Sequence, residues 1–590
     1  MNNPEIYLNR TYDESNKQKC TLLMIACLNE FEDIVQILLN YSGVDLEVLN
    51  DIQLEERDES LLMYENVTVL WAAVAIDNVN IVKLLIEHGA KINHTTKTNS
   101  TAFRCACSNG NMNIARYLNK NGANIHIAKI HNETNLILTV YNEDLKMVTY
   151  LVDELGCDVN ESMDNGCSPL YFAVDRGSFE LVQFLLNHGA RNFRSNHDQM
   201  SPLLLAAEKR RIDLVDAISP QCSLLEKIAA HELLGSAFAC GEHGSYNLEQ
   251  SFEYFYRALE LRFQHNLPKV LRLSTVEVFD NRQECQTIDE LKKLQLNDNH
   301  MYIEALLVRE RLLGSTNTKY RRSLQYHGAA LADNAEHYRG IEFWLYELNL
   351  RRQYSLSIDM EDLRQWASMF SDMLRNSLSI PIVSWQTIIT VVIEELEHHT
   401  KDFDYNLHTL LFLITIVSQM LSKSMISYDD RKLFYRHIHS IIQRQYVTQT
   451  YRSSLLHLSL SNHTSANDYF IDFICKYPSL HTVHLLIQCG ADVNARDAVQ
   501  NTPLHIFVSQ STIVDNTIIQ YLFDAGSHAD YVNALRETPI DIATNSNIKQ
   551  FIRTKTKLSL KCLCARLIQK NSILCHGKIA NSLINFVEKH

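Results

Sequence analysis

The sequence predicts an all-α protein built as a solenoid of short helix pairs, and three observations lead there. A helix-opening motif recurs at Thr68, Thr101, Thr134, Ser168 and Ser201, in steps of 33, 33, 34 and 33 residues. The segments "NIVKLLIEHGA" (80–90), "NIARYLNKNGA" (113–123) and "ELVQFLLNHGA" (180–190) place apolar residues at helical spacing and then stop at a glycine, the residue that takes a left-handed C-cap at little steric cost. Between 222 and 450 turn residues are few and long 3.6-period stretches such as "SLLEKIAAHELLGSAFA" (223–239) follow one another.

A step of about 33 residues is the ankyrin period. Each unit opens with Thr or Ser, whose hydroxyl accepts a free N–H of the first helical turn. In Ser168-Pro169-Leu170 and Ser201-Pro202-Leu203 a proline occupies that turn, where its missing N–H has no cost. With Thr21-Leu22-Leu23 as the first opening, residues 1–220 read as about six ankyrin units. The step from 21 to 68 is 47, so this unit carries an insertion. It holds Asp51, Glu55, Glu56, Asp58 and Glu59 against one Arg57. The expectation is a solvated acidic loop at the lip of the concave face that such stacks use for binding, with attraction for a basic peptide as its functional reading.

Residues 221–450 read as helical hairpins of tetratricopeptide-like kind, in which small residues admit a facing aromatic. The signals are Leu234, Gly235 and Phe238 followed by Ser251, Phe255 and Ala258, then Gly328 and Leu331 followed by Gly340 and Trp344. An irregular helical domain is the competing reading. Ankyrin openings return over 451–553 at Ser454-Leu455-Leu456-His457, Thr502-Pro503-Leu504-His505 and Thr538-Pro539-Ile540-Asp541, with an insertion implied by the 48-residue step from 454 to 502. The tail, 554–590, places Leu560, Leu563, Cys564, Leu567 and Ile568 on one helical stripe and Ile579, Leu583, Phe586 and Val587 on another.

Composition restricts the function classes. With 590 residues, 46% hydrophobic and 21% charged, the chain is a multi-domain folded protein. Only 17 Gly and 9 Pro leave little room for long linkers. A net charge of −14 is opposite to the basic face a nucleic-acid scaffold presents. The 14 cysteines are scattered, many within apolar helical patterns (Cys27, Cys105, Cys562), which suits buried reduced thiols better than a disulfide framework. The N-terminus lacks the apolar core of a signal peptide, and the apolar run Leu407–Met420 is interrupted by polar residues and short for a span. Together these predict a soluble protein of the cytoplasm or nucleus.

Chemistry-bearing motifs are missing. No phosphate loop, G-x-S-x-G elbow or H-E-x-x-H helix occurs, so no catalytic residue and no cofactor are expected. Cys562, Cys564, Cys575 and His576 imitate metal spacing, but residues two apart on a helix point to different faces, and no metal site is assigned. His88 and His188 recur beside the capping glycines and belong to the repeat framework.

The tail resembles a von Hippel–Lindau-type box. Ser559, Leu560, Cys564 and Ile568 match its elongin-binding half, and Ile579, Leu583, Phe586 and Val587 its cullin-binding half, with Ala580 where proline is usual. The chain as a whole resembles the fem-one (feminization) family, on "LWAA" (70–73), "TNST" (98–101), "SPLLLAA" (201–207), "ELLGSAF" (232–238), "RERLLG" (309–314), "CGADVNARD" (489–497) and "SLKCLCAR" (559–566). The resemblance implies a substrate receptor of a cullin-2–elongin B/C ubiquitin ligase that holds the C-termini of target proteins in its N-terminal ankyrin groove. By position, Trp71, Ser100, Arg104, Ser108 and Asn109 would line that pocket, with Arg104 facing the terminal carboxylate. Arginine-selecting family members carry aspartate where this chain has Asn109. Loss of that charge-assisted bond would weaken binding of a terminal arginine about ten- to a hundred-fold. The alternative is an ankyrin scaffold without a ligase role, its tail helices only covering the end of the stack.

Overall fold

The computed structural model describes residues 8–13, 19–55, 61–195, 199–240, 246–270, 275–398, 402–423, 426–510, 516–555, 564 and 568. Two compact units result, Met1–Tyr326 and His327–His590, each with a continuous apolar core.

In the first unit every predicted opening caps a helix. Thr21, Thr68, Thr101, Thr134, Ser168 and Ser201 accept the N–H three residues on, at 3.1–3.4 Å. The helices they cap are Leu22–Leu28, Val69–Ala75, Ala102–Asn109, Asn135–Tyr141, Pro169–Arg176 and Pro202–Glu208. Second helices run antiparallel behind them, and Gly89, Gly122 and Gly189 follow three of these at φ 90°, 92° and 83°. The one step of 34 residues has a local cause. In that unit the second helix, Leu145–Thr149, continues as a π turn over Tyr150–Glu154, which takes up one extra residue without breaking the stack.

The described parts of the insertion are strands, where a loop is the expectation from sequence. Asn50–Glu55 (β3) and Leu61–Val67 (β4) pair as an antiparallel hairpin, joined by Tyr12–Asp13 (β1) and Lys19–Cys20 (β2) in a sheet of order β1-β2-β3-β4. Alternation along β3 fits this: Asn50 and Ile52 are buried while Asp51 and Gln53 are only half-buried, and a period of two suits a strand with one covered face. Asn50 fastens the hairpin to the first repeat, its Oδ1 accepting the Thr21 N–H at 2.8 Å. Asp51 accepts the Asn66 N–H at 3.2 Å within the hairpin, and Glu56, Asp58 and Glu59 lie outside the described residues.

Helices Leu224–Ala239 and Leu248–Gln264 form the first central hairpin. A Cβ on Gly235 would stand 2.8 Å from the Phe255 ring, so the small residue is what lets the helices close. Charged side chains are buried here as a set: Lys269 lies 3.3 Å from Glu284 and 3.5 Å from Glu304, while Arg262 and Arg311 each reach Glu232 at 2.7 Å.

In the second unit the helices His337–Gln353, Met360–Arg375, Ile382–His398, Phe403–Ser422 and Tyr428–Gln443 lead into the second ankyrin block. Phe403–Ser422 is longer than the apolar run predicted from sequence. Its 20 residues and mean hydropathy of 1.2 would allow a membrane span by length and composition, but 72% of it is buried inside the unit. The 48-residue step contains an additional short helix, Tyr469–Ile474, between Leu455–Leu460 and Leu480–Gln488.

Candidate functional site

The five residues expected in the N-terminal groove fall on two adjacent ankyrin units. Trp71 is the third residue of its helix and Arg104 the third of the next, each three positions after its cap. From that position each side chain reaches the residue just before the following cap. Trp71 Nε1 donates to Ser100 Oγ at 3.3 Å. Arg104 Nη1 donates to the Glu133 carbonyl at 2.7 Å and Nη2 pairs with the Glu133 carboxylate. Both links span 29 residues, because the same repeat position is used twice.

The surroundings differ. Trp71 is 6% exposed and lies against Tyr64 of β4, centroids 5.1 Å apart; the insertion thus builds one wall of the site. Lys97 pairs with Glu65 of the same strand and its N–H donates to the Glu65 carbonyl at 3.2 Å. Arg104 is 4% exposed. Burial pulls its pKa down, against the attraction of Glu133, so the guanidinium faces a carboxylate of this chain rather than open groove.

Ser108 and Asn109 end the same helix, half-buried. The Ser108 carbonyl accepts from Asn142 Nδ2 at 3.2 Å. Asn109 Nδ2 donates to the Val74 and Ala75 carbonyls, both at 3.2 Å; the Val74 carbonyl also accepts from the Asp77 N–H at 3.1 Å, so the amide adds a second donor there and ties its helix to the end of helix Val69–Ala75. An aspartate has no hydrogen to give there. Sequence reasoning missed Tyr64 and Glu133. The repeat register that relates Ser100 to position 133 would have exposed the second; β4, with Glu65 and Asn66 both exposed before Val67, carries no alternation that points to the first.

The second block uses the same position differently. His457 and His505 also stand three after their caps. Their Nδ1 atoms accept from the Ser454 and Thr502 N–H at 3.3 and 3.1 Å, and their Nε2 atoms donate to the Asn501 and Glu537 carbonyls at 3.0 and 3.1 Å. Those histidines are neutral framework: burial lowers His457 and takes His505 down to about 4.

His88 and His188 likewise bond backward to the Leu84 and Phe184 carbonyls at 2.8 Å. The described cysteines are free thiols, most of them buried. Of the tail residues, Cys564 is exposed and Ile568 half-buried, both on helical backbone. Leu560, Ile579, Leu583, Phe586 and Val587 lie outside the described residues, as do Cys562, Cys575 and His576.

Comparison with known proteins agrees with this architecture. A family model for ankyrin repeats (3 copies) matches residues 23–129 and 136–225. The chain is 30% identical to Protein fem-1 homolog C of Danio rerio over 66% of its own length and 65% of that relative's. It is 28% identical to the Homo sapiens fem-1 homolog C over 70% and 68% of the two chains. With Protein fem-1 homolog A-like of Mus musculus the identity is 25%, across 97% of this chain and 94% of the relative. A stack of this kind, with side chains gathered where neighbouring units meet, is that of an ankyrin-repeat adaptor whose role is recognition. Within that class, the chain belongs to the fem-1 family.

Proposed function

We propose that the chain is the substrate-recognition subunit of a cullin-2–elongin B/C ubiquitin ligase, that its N-terminal ankyrin groove captures the C-terminal segment of a target protein, and that it works in the cytoplasm or nucleus. The observation that carries this reading is the Trp71–Ser100 bond beside Tyr64, flanked on the same two units by Arg104, Ser108 and Asn109, whose own bonds run to the neighbouring units. Aromatic walls, hydroxyls and amides at a unit boundary suit an extended peptide, whose main chain needs donors and acceptors and whose last side chain needs a pocket. The arginine-terminal preference is not carried over, since the Asn109 amide is occupied by carbonyls and is uncharged. The adaptor half rests on the tail: Cys564 is exposed on a helical segment, on the stripe that also holds Leu560 and Ile568. Any transfer chemistry is then supplied by partners.

Co-purification with elongin B/C tests the adaptor half. Wild type should retain elongin C and Leu560→Ala should lose it; equal retention, or none by either, refutes it and leaves a scaffold whose tail only covers the stack. A C-terminal peptide library against the full chain tests the groove. Binding should depend on the last residue and fall in Trp71→Ala, and a flat response across the library refutes C-terminal recognition.

A further inference from the structure

A cavity of about 300 Å³ opens in the first unit where the sixth ankyrin unit meets the central helices. Three elements contribute cations to it. The turn after Pro202–Glu208 gives Lys209 and Arg210, helix Asp298–Leu313 gives Arg309, and helix Thr318–Asp333 gives Lys319 and Arg322 on its first turn. Against these five cations the described lining residues include one carboxylate, Glu208, in a chain whose net charge is −14. Such a concentration of positive charge opposes the trend of the molecule and costs self-repulsion.

The pairing inside the cavity is incomplete. Arg309 is 3% exposed; its Nη2 pairs with Glu208 and its Nη1 donates to Ser236 Oγ at 3.3 Å. Its Nε–H is buried with no acceptor among the described residues, and the second oxygen of Glu208 has no donor there. Lys209 is held at 2.7 Å by Asp175, which is not among the lining residues. Lys319 and Arg322 have no ion-pair partner among the described residues, and Ser323 and Tyr326 continue their helical face along the lining. A buried guanidinium N–H left without an acceptor is costly, and native structures generally satisfy such groups with a ligand or water.

We propose that this cavity is a binding site for a phosphate group, separate from the peptide groove and independent of the ligase reading. Cations that converge from three elements suit a tetrahedral anion, which offers oxygens in several directions, better than a planar carboxylate. A phosphate carries about −1.5 to −2 at neutral pH, enough to offset much of the excess. The unpaired Glu208 oxygen accepts from a protonated phosphate oxygen or a bridging water. Free phosphate and a phosphorylated side chain share this chemistry.

The test uses the full chain. Inorganic phosphate and a phosphoserine peptide are titrated by calorimetry at constant ionic strength, with chloride as the reference. Saturable one-site binding is expected, and the Lys319→Ala/Arg322→Ala double variant should weaken it by about tenfold or more. Because neither side chain has an ion-pair partner among the described residues, the ligand-free melting midpoint should not move. Lys319→Arg/Arg322→Lys should keep most of the affinity. Tighter binding of the peptide assigns the site to phosphorylated side chains, and tighter or equal binding of phosphate assigns it to the free anion. Phosphate that acts no differently from chloride, or a double variant that binds as wild type does, overturns the proposal.

Discussion

Arg104 and Glu133 bind each other across the boundary between the third and fourth ankyrin units, through both the carboxylate and the carbonyl of Glu133. The same repeat position one unit earlier is Trp71, which reaches Ser100, and in the second block it is histidine. One slot of the repeat therefore serves as framework in one half of the chain and lines the candidate groove in the other.

Removing Glu133 tests how much the link contributes. Glu133→Ala leaves Arg104 buried with the backbone carbonyl of residue 133 but without its carboxylate, and breaking a buried pair from one side costs up to about 3–5 kcal/mol. The Glu133 side chain is 26% exposed, which places the expected loss nearer 2–3 kcal/mol after solvent screening. Urea unfolding would read it as a lower midpoint at unchanged slope. An unchanged midpoint would show that the pair is energetically neutral.

Asn109→Asp brings a carboxylate against the Val74 and Ala75 carbonyls. Two donated bonds are lost and like partial charges meet, so a loss of about 1–3 kcal/mol is expected. If a terminal arginine is offered in the groove, the same variant should bind it more tightly, since the new charge has a partner only then. Peptide titration of wild type and variant separates the two effects.

Acid should destabilise the second ankyrin block. Burial lowers the folded pKa of His505 to about 4 and also depresses His457, against about 6.5 when free. A depressed histidine contributes stability that is complete above the free value and is lost as pH falls from about 6.5 toward 4. Protonation would set an Nδ1 hydrogen against the Thr502 N–H that now donates to it. Each unit of depression corresponds to about 1.4 kcal/mol. Hydrogen-exchange protection factors over 503–510, corrected for the intrinsic pH dependence of exchange, should fall between pH 7 and pH 5, and His505→Asn should flatten that dependence.

Lys269→Met should be among the most damaging single changes in the first unit. Its ammonium is 2% exposed and faces Glu232, Glu284 and Glu304, so its removal leaves buried negative charge, at about 3–5 kcal/mol. Glu304, which burial already pushes toward the protonated form, is the partner to neutralise. Lys269→Met/Glu304→Gln should recover part of the loss in thermal melting.

The repeat architecture was legible in the sequence because it is local. A hydroxyl that caps its own helix, a proline in the first turn and a glycine at positive φ each act within a few residues, and period then multiplies the signal. Thr21 through Ser201 all cap as expected for that reason. The strands at 50–55 and 61–67 differ from the expected loop because the acidic residues mask the alternation of Ile52 with its polar neighbours. What the tertiary structure alone decided is where side chains end once units stack. Arg104, which the resemblance sets facing a ligand's carboxylate, meets Glu133; Asn109 is tied to the carbonyls of the preceding unit; and Arg309, remote in sequence from Glu208, has a buried N–H with no acceptor among the described residues. Burial and pairing at such places depend on which surfaces meet across tens of residues, and no local propensity encodes that meeting.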